Sequence, residues 1–482
     1  MKKNQLLATT KTGLLVLTGG AFLLTSCASD GFEDESFDTG VRNVQVEALA
    51  EDQISINPSA DESKTIIEWK VINGASGYEC KVYNTTTGTN VLLLDSLVDG
   101  RQIIVNREED NNYLFTILPK GDQGRGNSDA AQMTSMAFNS FSETFATIPD
   151  NTDLFSYFQT NPVPAESAGK ELCFDLKPGG TYTLTGNVNF GLQRVAIRST
   201  SQNNPASITM SSGSTFIAGN GISLKYLQID ASAADKPVIT MTDSPDDSFK
   251  SNKKDGWYEI ESPVSIKNCT ITSLGTSIVA TNSIKYLIYN LVVNNSLIEM
   301  DATTTGANAN AIVYLKSGYA KETQLKNSTI YSKAKIEKFL LNFGNRPKDV
   351  SETETRDVII ENCTLANIAN GKNLCNYHNG QKTYSYTLIN SITIDCGKGG
   401  QVVQGMNQGQ DSENPTWNIN NNTFWRNGVV DTQTGSKWTT NNKGSNTVIT
   451  TDPGIDPTTG NFTPAAEQQA AKQGDPRWFT AQ

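Results

Sequence analysis

Between Pro263 and Asn422 the chain repeats one arrangement of apolar and polar positions. Short apolar runs such as "PVSIKN", "DVIIEN" and "YTLIN" end on asparagine, and segments such as "CTI", "STI" and "CTL" follow such asparagines. The column Asn268, Asn295, Asn327, Asn362, Asn390, Asn421 advances in steps of 27, 32, 35, 28 and 31 residues. A second column of apolar openers, Ile278, Ile312, Phe339, Leu374, Val402 and Val429, advances by 34, 27, 35, 28 and 27. Two columns with nearly the same irregular step predict a solenoid or a propeller. Asn-Gly hairpin signals are scarce, which disfavours propeller blades, so the expected fold is a coil of parallel strands, each turn about 4.8 Å above the last. Asparagine tolerates the left-handed conformation of a tight bend. Stacked asparagines can join their amides into a ladder, and Asn327 and Asn362 are expected to be buried in it.

The residue after each asparagine is Cys269, Ser296, Ser328, Cys363, Ser391 or Asn422. Cys269 and Cys363 lie three turns apart, roughly 14 Å by the strand spacing, too far for a disulfide. They are expected as buried thiols. Earlier, "ISLKYLQIDAS" fits the same pattern with Tyr226 at the asparagine position. The long step from Tyr226 to Asn268 is assigned to an inserted polar loop, "DSPDDSFKSNKKDGWYEI". "PDNTDLFSYF" predicts a short helix with Asp150 or Thr152 as N-cap. Residues 41–137 hold about seven short alternating strands, with Tyr78, Cys80 and Val82 on one face and Tyr113, Phe115 and Ile117 on another. That spacing predicts a β-sandwich.

Composition agrees with an all-β chain rich in turns: hydrophobic residues make up 37%. The start has Lys2, Lys3 and Lys11 and then an apolar run from Gly13 to Leu24, too short to span a bilayer and expected as a secretion signal. Removing residues 1–26, which hold three lysines and no acid, takes the formal charge from −11 to −14. Such a charge argues against a nucleic-acid partner. The cysteines form no Cys-x-x-Cys pair, and zinc-site spacing is absent.

Leu24-Thr25-Ser26-Cys27 resembles the lipobox of bacterial lipoproteins, which implies a lipidated Cys27. The acidic run "SDGFEDESFD" resembles the export tag of Bacteroidetes surface lipoproteins, and a plain tether is the alternative. Trp69 with "GASGYECKVY" and "YLFTILPKGDQGRGNSD" resembles a fibronectin type III module. The repeat, with the closing stretch "TDPGIDPTTGNFTPAAEQQAAKQGDPRW", resembles pectate-lyase-like right-handed parallel β-helices. Together these suggest a Bacteroidetes polysaccharide-utilisation lipoprotein, anchored in the outer membrane and facing the cell exterior. The expected layout is signal peptide 1–26, acidic tether 27–40, fibronectin-like sandwich 41–137, linker and N-terminal cap 138–170, and β-helix 171–482 with a closing segment.

The resemblance implies either a binder of an acidic, pectin-like polysaccharide or a lyase cleaving uronates by β-elimination; a structural adhesin is a third reading. A lyase needs a basic residue to take the proton, here Lys316, Arg346 or Lys348, and usually Ca²⁺ held by clustered carboxylates. No acid pair is seen to recur across neighbouring turns, and no cofactor is firmly implied. The basic segment Lys326 to Lys348, with Lys333 and Lys335, suits a uronate polymer. Asn342, Tyr377, His378 and Gln404 are candidates to bond sugar hydroxyls, and Trp257, Trp417 and Trp425 to stack on sugar rings.

Overall fold

A computed structural model describes residues 40–59, 64–86, 88–108, 110–165, 170–302, 311–351, 353–377, 384–407, 415–434, 438–439, 441–445 and 449–480. The expected signal peptide, the acidic run and Cys27 lie outside them. The chain divides into two compact units, Met1–Phe141 and Ser142–Gln482.

The first unit is an antiparallel β-sandwich. Three strands (Ile54–Pro58, Lys64–Trp69, Gln102–Asn106) face four (Val91–Val98, Ala75–Asn84, Asn112–Gly121, Thr134–Asn139). The alternation read from the sequence is the alternation of burial. Trp69, Tyr78, Cys80, Val82, Tyr113, Phe115 and Ile117 meet in one core with Ile67 and Ile103.

The second unit is a parallel β-helix with three faces. The first sheet runs from Thr144–Ile148 to Thr416–Asn420, the second in parallel from Thr152–Asp153 to Thr423–Arg426, and the third from Asn187–Asn189 to Cys375–Tyr377. One turn reads Val264–Lys267 in the first sheet, Thr270–Leu274 in the second and Val279–Thr281 in the third. The next turn stacks in parallel register, with Ile266 on Val293, Ile271 on Ile298 and Val279 on Val313. The inward residues fill one continuous apolar core. Because Thr144–Ile148 and Thr152–Asp153 already pair in parallel with later strands, the coil begins before residue 171. The short helix is Leu154–Thr160, capped by Asp153, whose carboxylate accepts from Ser156 N at 2.9 Å, and not by Asp150 or Thr152. Its Leu154 and Phe158 plug the end of the core.

The bend column is present, with a correction. Tyr226, Asn268, Asn295, Asn327, Asn362, Asn390 and Asn421 all have φ between 46° and 57°, the left-handed region. Their amides bond along the axis: Asn295 to Asn268, Asn362 to Asn327 at 3.0 Å, and Asn421 to Asn390 at 2.7 Å. Asn327 instead reaches Asn294 at 3.2 Å. Asn327 and Asn362 are half-buried, not buried. The side chain at a left-handed bend leans outward, and the residue after it turns in.

That next column is the buried one. Cys269, Ser296, Ser328, Cys363, Ser391 and Asn422 are all at most 1% exposed. Ser328 Oγ accepts from Ser296 N at 3.0 Å and donates to Lys326 O at 2.6 Å. Ser391 Oγ does the same for Cys363 N at 3.1 Å and Ile389 O at 2.8 Å. Each small polar side chain satisfies backbone groups that the bend removes from the sheets. Cys269 and Cys363 are free and buried, as expected.

The second column shifts by one residue in one turn. Ile278, Ile312, Leu340 and Leu374 stack, so Leu340 and not Phe339 belongs there. Val429 is exposed, in a short strand antiparallel to Thr423–Arg426, and is no part of the coil. The final segment does not close the end of the coil. It runs back over the bend column: Gly474 N donates to Asn390 O, Asp475 N to Thr364 Oγ1, and Arg477 Nη2 to Asn295 Oδ1, at 2.8, 3.1 and 3.3 Å.

Candidate functional site

The corner between the third and first sheets carries the longest excursions. The segment from Met241 to Val264 is more than the polar loop read from the sequence. Its Trp257–Ile260 forms a strand parallel to Lys285–Ile288 in the first sheet, and Trp257 is buried against Tyr319. A polar loop with one deep aromatic anchor is held in place by the apolar area that anchor removes from water.

Beneath this excursion lies a groove of about 340 Å³, lined by Asn220, Ser248, Phe249, Lys250, Asn252, Glu259, Glu261 and Ser262. Glu259 joins the groove to a charged cluster on the next turns. It accepts from Tyr289 Oη at 2.7 Å and from Lys253 Nζ at 3.3 Å, and it is also bonded by Ser251. Lys253 donates to Tyr289 Oη at 3.0 Å and pairs with Glu354 at 2.9 Å, and Lys321 reaches Glu354 at 3.6 Å. Lys253 and Lys321 lie 5.3 and 5.1 Å from the centre of the Tyr289 ring. Desolvation pulls the Glu259 carboxyl up, but the bonds from Ser251, Tyr289 and Lys253 outweigh it and hold the group below its ordinary range. Desolvation likewise opposes the Lys253 charge, and Tyr289, Glu354 and Glu259 overcome it, so its pKa is raised. Both groups are therefore fixed charges at neutral pH and poor proton acceptors from substrate.

An acid pair across turns does exist, contrary to the sequence reading. Glu322 and Asp357, 35 residues apart in sequence, are register partners on the outer side of adjacent first-sheet strands. Gln324 bonds Glu322, and Ser385 Oγ donates to Asp357 at 2.6 Å. No group of three or more His, Cys, Asp or Glu that could hold a metal ion occurs among the described residues.

The sequence candidates fare unevenly. Lys316, Arg346 and Lys348 fall on the same corner in successive turns, and Lys316 O lies under Gly344. Arg346 is engaged by Asp349 at 2.9 Å. Much of the basic segment is paired with the coil's own acids: Lys326 with Glu361 at 3.3 Å, Lys333 with Glu299 at 2.6 Å and Lys335 with Asp395 at 3.2 Å. Asn342 is buried in an amide ladder, accepting from Asn376 at 3.1 Å. Tyr377 is buried against Arg356, and Trp257 and Trp417 are core residues, so none of the three offers a face to a sugar. The large apolar surface of these rings favours the interior over solvent. Trp425 is half-buried beside Phe462 and Tyr331, Gln404 sits half-buried in a short 3-10 turn, and His378 lies outside the described residues. Glu259, Lys253 and Tyr289 were missed because strand stacking, not sequence proximity, unites them; Glu354 stood out in the sequence only as one of the acids of "DVSETETRD".

Fold and corner together define a parallel β-helix with a polar groove built by one excursion. Three families, each described as a domain of unknown function, match successive parts of the chain: DUF4992 over residues 1–178, DUF4957 over 180–333 and DUF5123 over 358–478. No curated protein matches the sequence. Among solved structures, the chain is similar to a pectate lyase from Erwinia chrysanthemi in complex with tetragalacturonic acid. The identity is 12% and the TM-score 0.17, over 84% of this chain and 100% of that one. A pectate lyase from Pectobacterium carotovorum is 11% identical with a TM-score of 0.17, over 82% of this chain and 99% of that one. The parallel registers, not these likenesses, define the coil.

Proposed function

We propose that the coil binds a hydroxyl-rich polysaccharide in the groove beneath the excursion and along the adjoining corner, and that the chain is carried on the outer membrane through Cys27. The groove is the observation that supports this most. Its volume of about 340 Å³ is that of a ligand site. Its lining offers two side-chain amides, two hydroxyls, two carboxylates, one ammonium (Lys250) and one aromatic ring, Phe249, a set suited to bonding several sugar hydroxyls at once. The first-sheet strands beside it continue a polar outer row, Glu322, Asp357, Ser385 and Thr416, along the axis. A polymer could follow that row beyond the groove.

The charge balance favours a neutral glycan over the acidic one expected from the sequence. Lys250 is engaged by Asp247 at 2.8 Å and Glu259 by Lys253 at 3.3 Å, which leaves Glu261 as the further charge lining the groove. A uronate chain would meet like charge there, which disfavours binding. One observation favours a second reading, cleavage of a uronate polymer with Ca²⁺: Glu322 and Asp357 are in register, and Lys321 adjoins Glu322.

The test is affinity electrophoresis of residues 28–482 against neutral and uronate polysaccharides, with and without Ca²⁺, while ultraviolet absorbance monitors unsaturated products. Retardation by a neutral glycan without new absorbance is expected. Calcium-dependent absorbance with a uronate polymer would establish the lyase reading instead. Retardation by no glycan would overturn both.

A further inference from the structure

We propose that the coil holds a small monovalent anion, such as chloride, against Arg356 in its interior. Arg356 opens the first-sheet strand Arg356–Glu361 and points inward with Val358 and Ile360, fully buried. Tyr377 and Tyr384 cover its guanidinium, with their ring centres 3.7 and 4.1 Å from its central carbon. Nη2 donates to Tyr386 Oη at 3.1 Å, and Tyr386 in turn donates to Asn407 at 3.3 Å. Nε and Nη1 are buried and have no hydrogen-bond partner. Among the described residues no carboxylate forms an ion pair with Arg356.

The contrast lies within the same coil. Among the described residues Arg198 is the other deeply buried arginine, and its Nε is held by Asp175 at 2.7 Å. Arg356 has tyrosines where Arg198 has a carboxylate. A guanidinium does not shed its proton in a protein, so the charge stays inside. The tyrosine rings favour a cation over their faces, but they leave Nε and Nη1 without acceptors. A buried charge with no counter-ion, and with two of its three nitrogens lacking an acceptor, is costly. A water molecule would supply an acceptor and leave the charge unbalanced; a small anion supplies both. This site is independent of the glycan groove, and nothing in its test depends on glycan binding.

The direct experiment is to crystallise the chain with bromide replacing chloride and collect anomalous data. A bromide peak at hydrogen-bond distance from Nε or Nη1 is expected. Density for water alone, with no anomalous peak there, would overturn the proposal. In solution, the melting temperature should be higher in sodium chloride than in the sodium salt of a bulky organic anion at equal ionic strength, and the rise should saturate with chloride. Arg356→Met should lose that dependence. Equal melting temperatures in both salts, or the same chloride response in Arg356→Met, would also overturn it. Should the variant fail to fold, the bromide result on the unaltered chain decides.

Discussion

Asn362 donates its side-chain amide to Asn327 Oδ1 at 3.0 Å, across 35 residues of sequence. Both residues are left-handed and half-buried, so two effects act at one site. Asn362→Gly removes the amide but keeps the bend relaxed, and should cost about 1 kcal/mol. Asn362→Leu also forces a branched side chain into φ near 52°, adding about 1–2 kcal/mol. Chemical denaturation of the two variants reads the difference; equal losses would remove bend strain from the explanation.

The returning tail should act as a clasp on the bends. Asp475 is fully buried, accepts from Thr329 Oγ1 at 2.8 Å and from Arg477 N at 3.0 Å, and receives no exposure to solvent. Asp475→Ala should lower stability by about 1–3 kcal/mol and release the tail to protease. Limited proteolysis with intact-mass detection reads this. A tail cut no faster than in the parent chain would show that Asp475 does not hold it.

Lys338 should make stability rise at alkaline pH. Its ammonium is buried, donates to Gly275 O at 2.8 Å, and burial lowers its pKa to about 8. Between about 8 and the ordinary lysine value of 10.5 the unfolded chain binds the proton and the folded chain does not. Stability from this group therefore increases with pH through that window, and below about 8 the buried charge is a constant penalty. Lys338→Met should flatten the rise, by at most about 3 kcal/mol. Melting curves at neutral pH and above pH 10 compare the two chains.

Cys27→Ala should leave the precursor uncut or release the protein from the membrane fraction, because the leader resembles a lipobox. Immunoblots of fractionated cells distinguish these outcomes from unchanged retention, which would remove the lipid anchor from the proposal.

The coil was legible because its repeat is local: each asparagine bend and each small residue after it follow from neighbours in sequence. Even Tyr226 could be placed, and it does adopt φ 57°. The direction of the bend side chain was misread: the inward place of Cys363 was expected, but the left-handed φ of Asn362 tilts its own side chain outward. The site was poorly legible because its residues meet across turns. Glu322 and Asp357 look unrelated in sequence and become neighbours only through the register of two strands. Lys333 and Lys335 looked like a free basic patch because Glu299 and Asp395 lie in other turns. Trp257 looked like a surface aromatic because its polar flanks hid the strand it begins.

Hydrogen–deuterium exchange of residues 28–482, with and without a polysaccharide that retards the chain, locates the binding surface most directly. Protection should concentrate in residues 248–262 and spread to 285–290 and 318–322, the strands beside the groove. Protection confined to residues 40–141, or to the tail after residue 450, would place the glycan elsewhere and end the groove's claim to be the site.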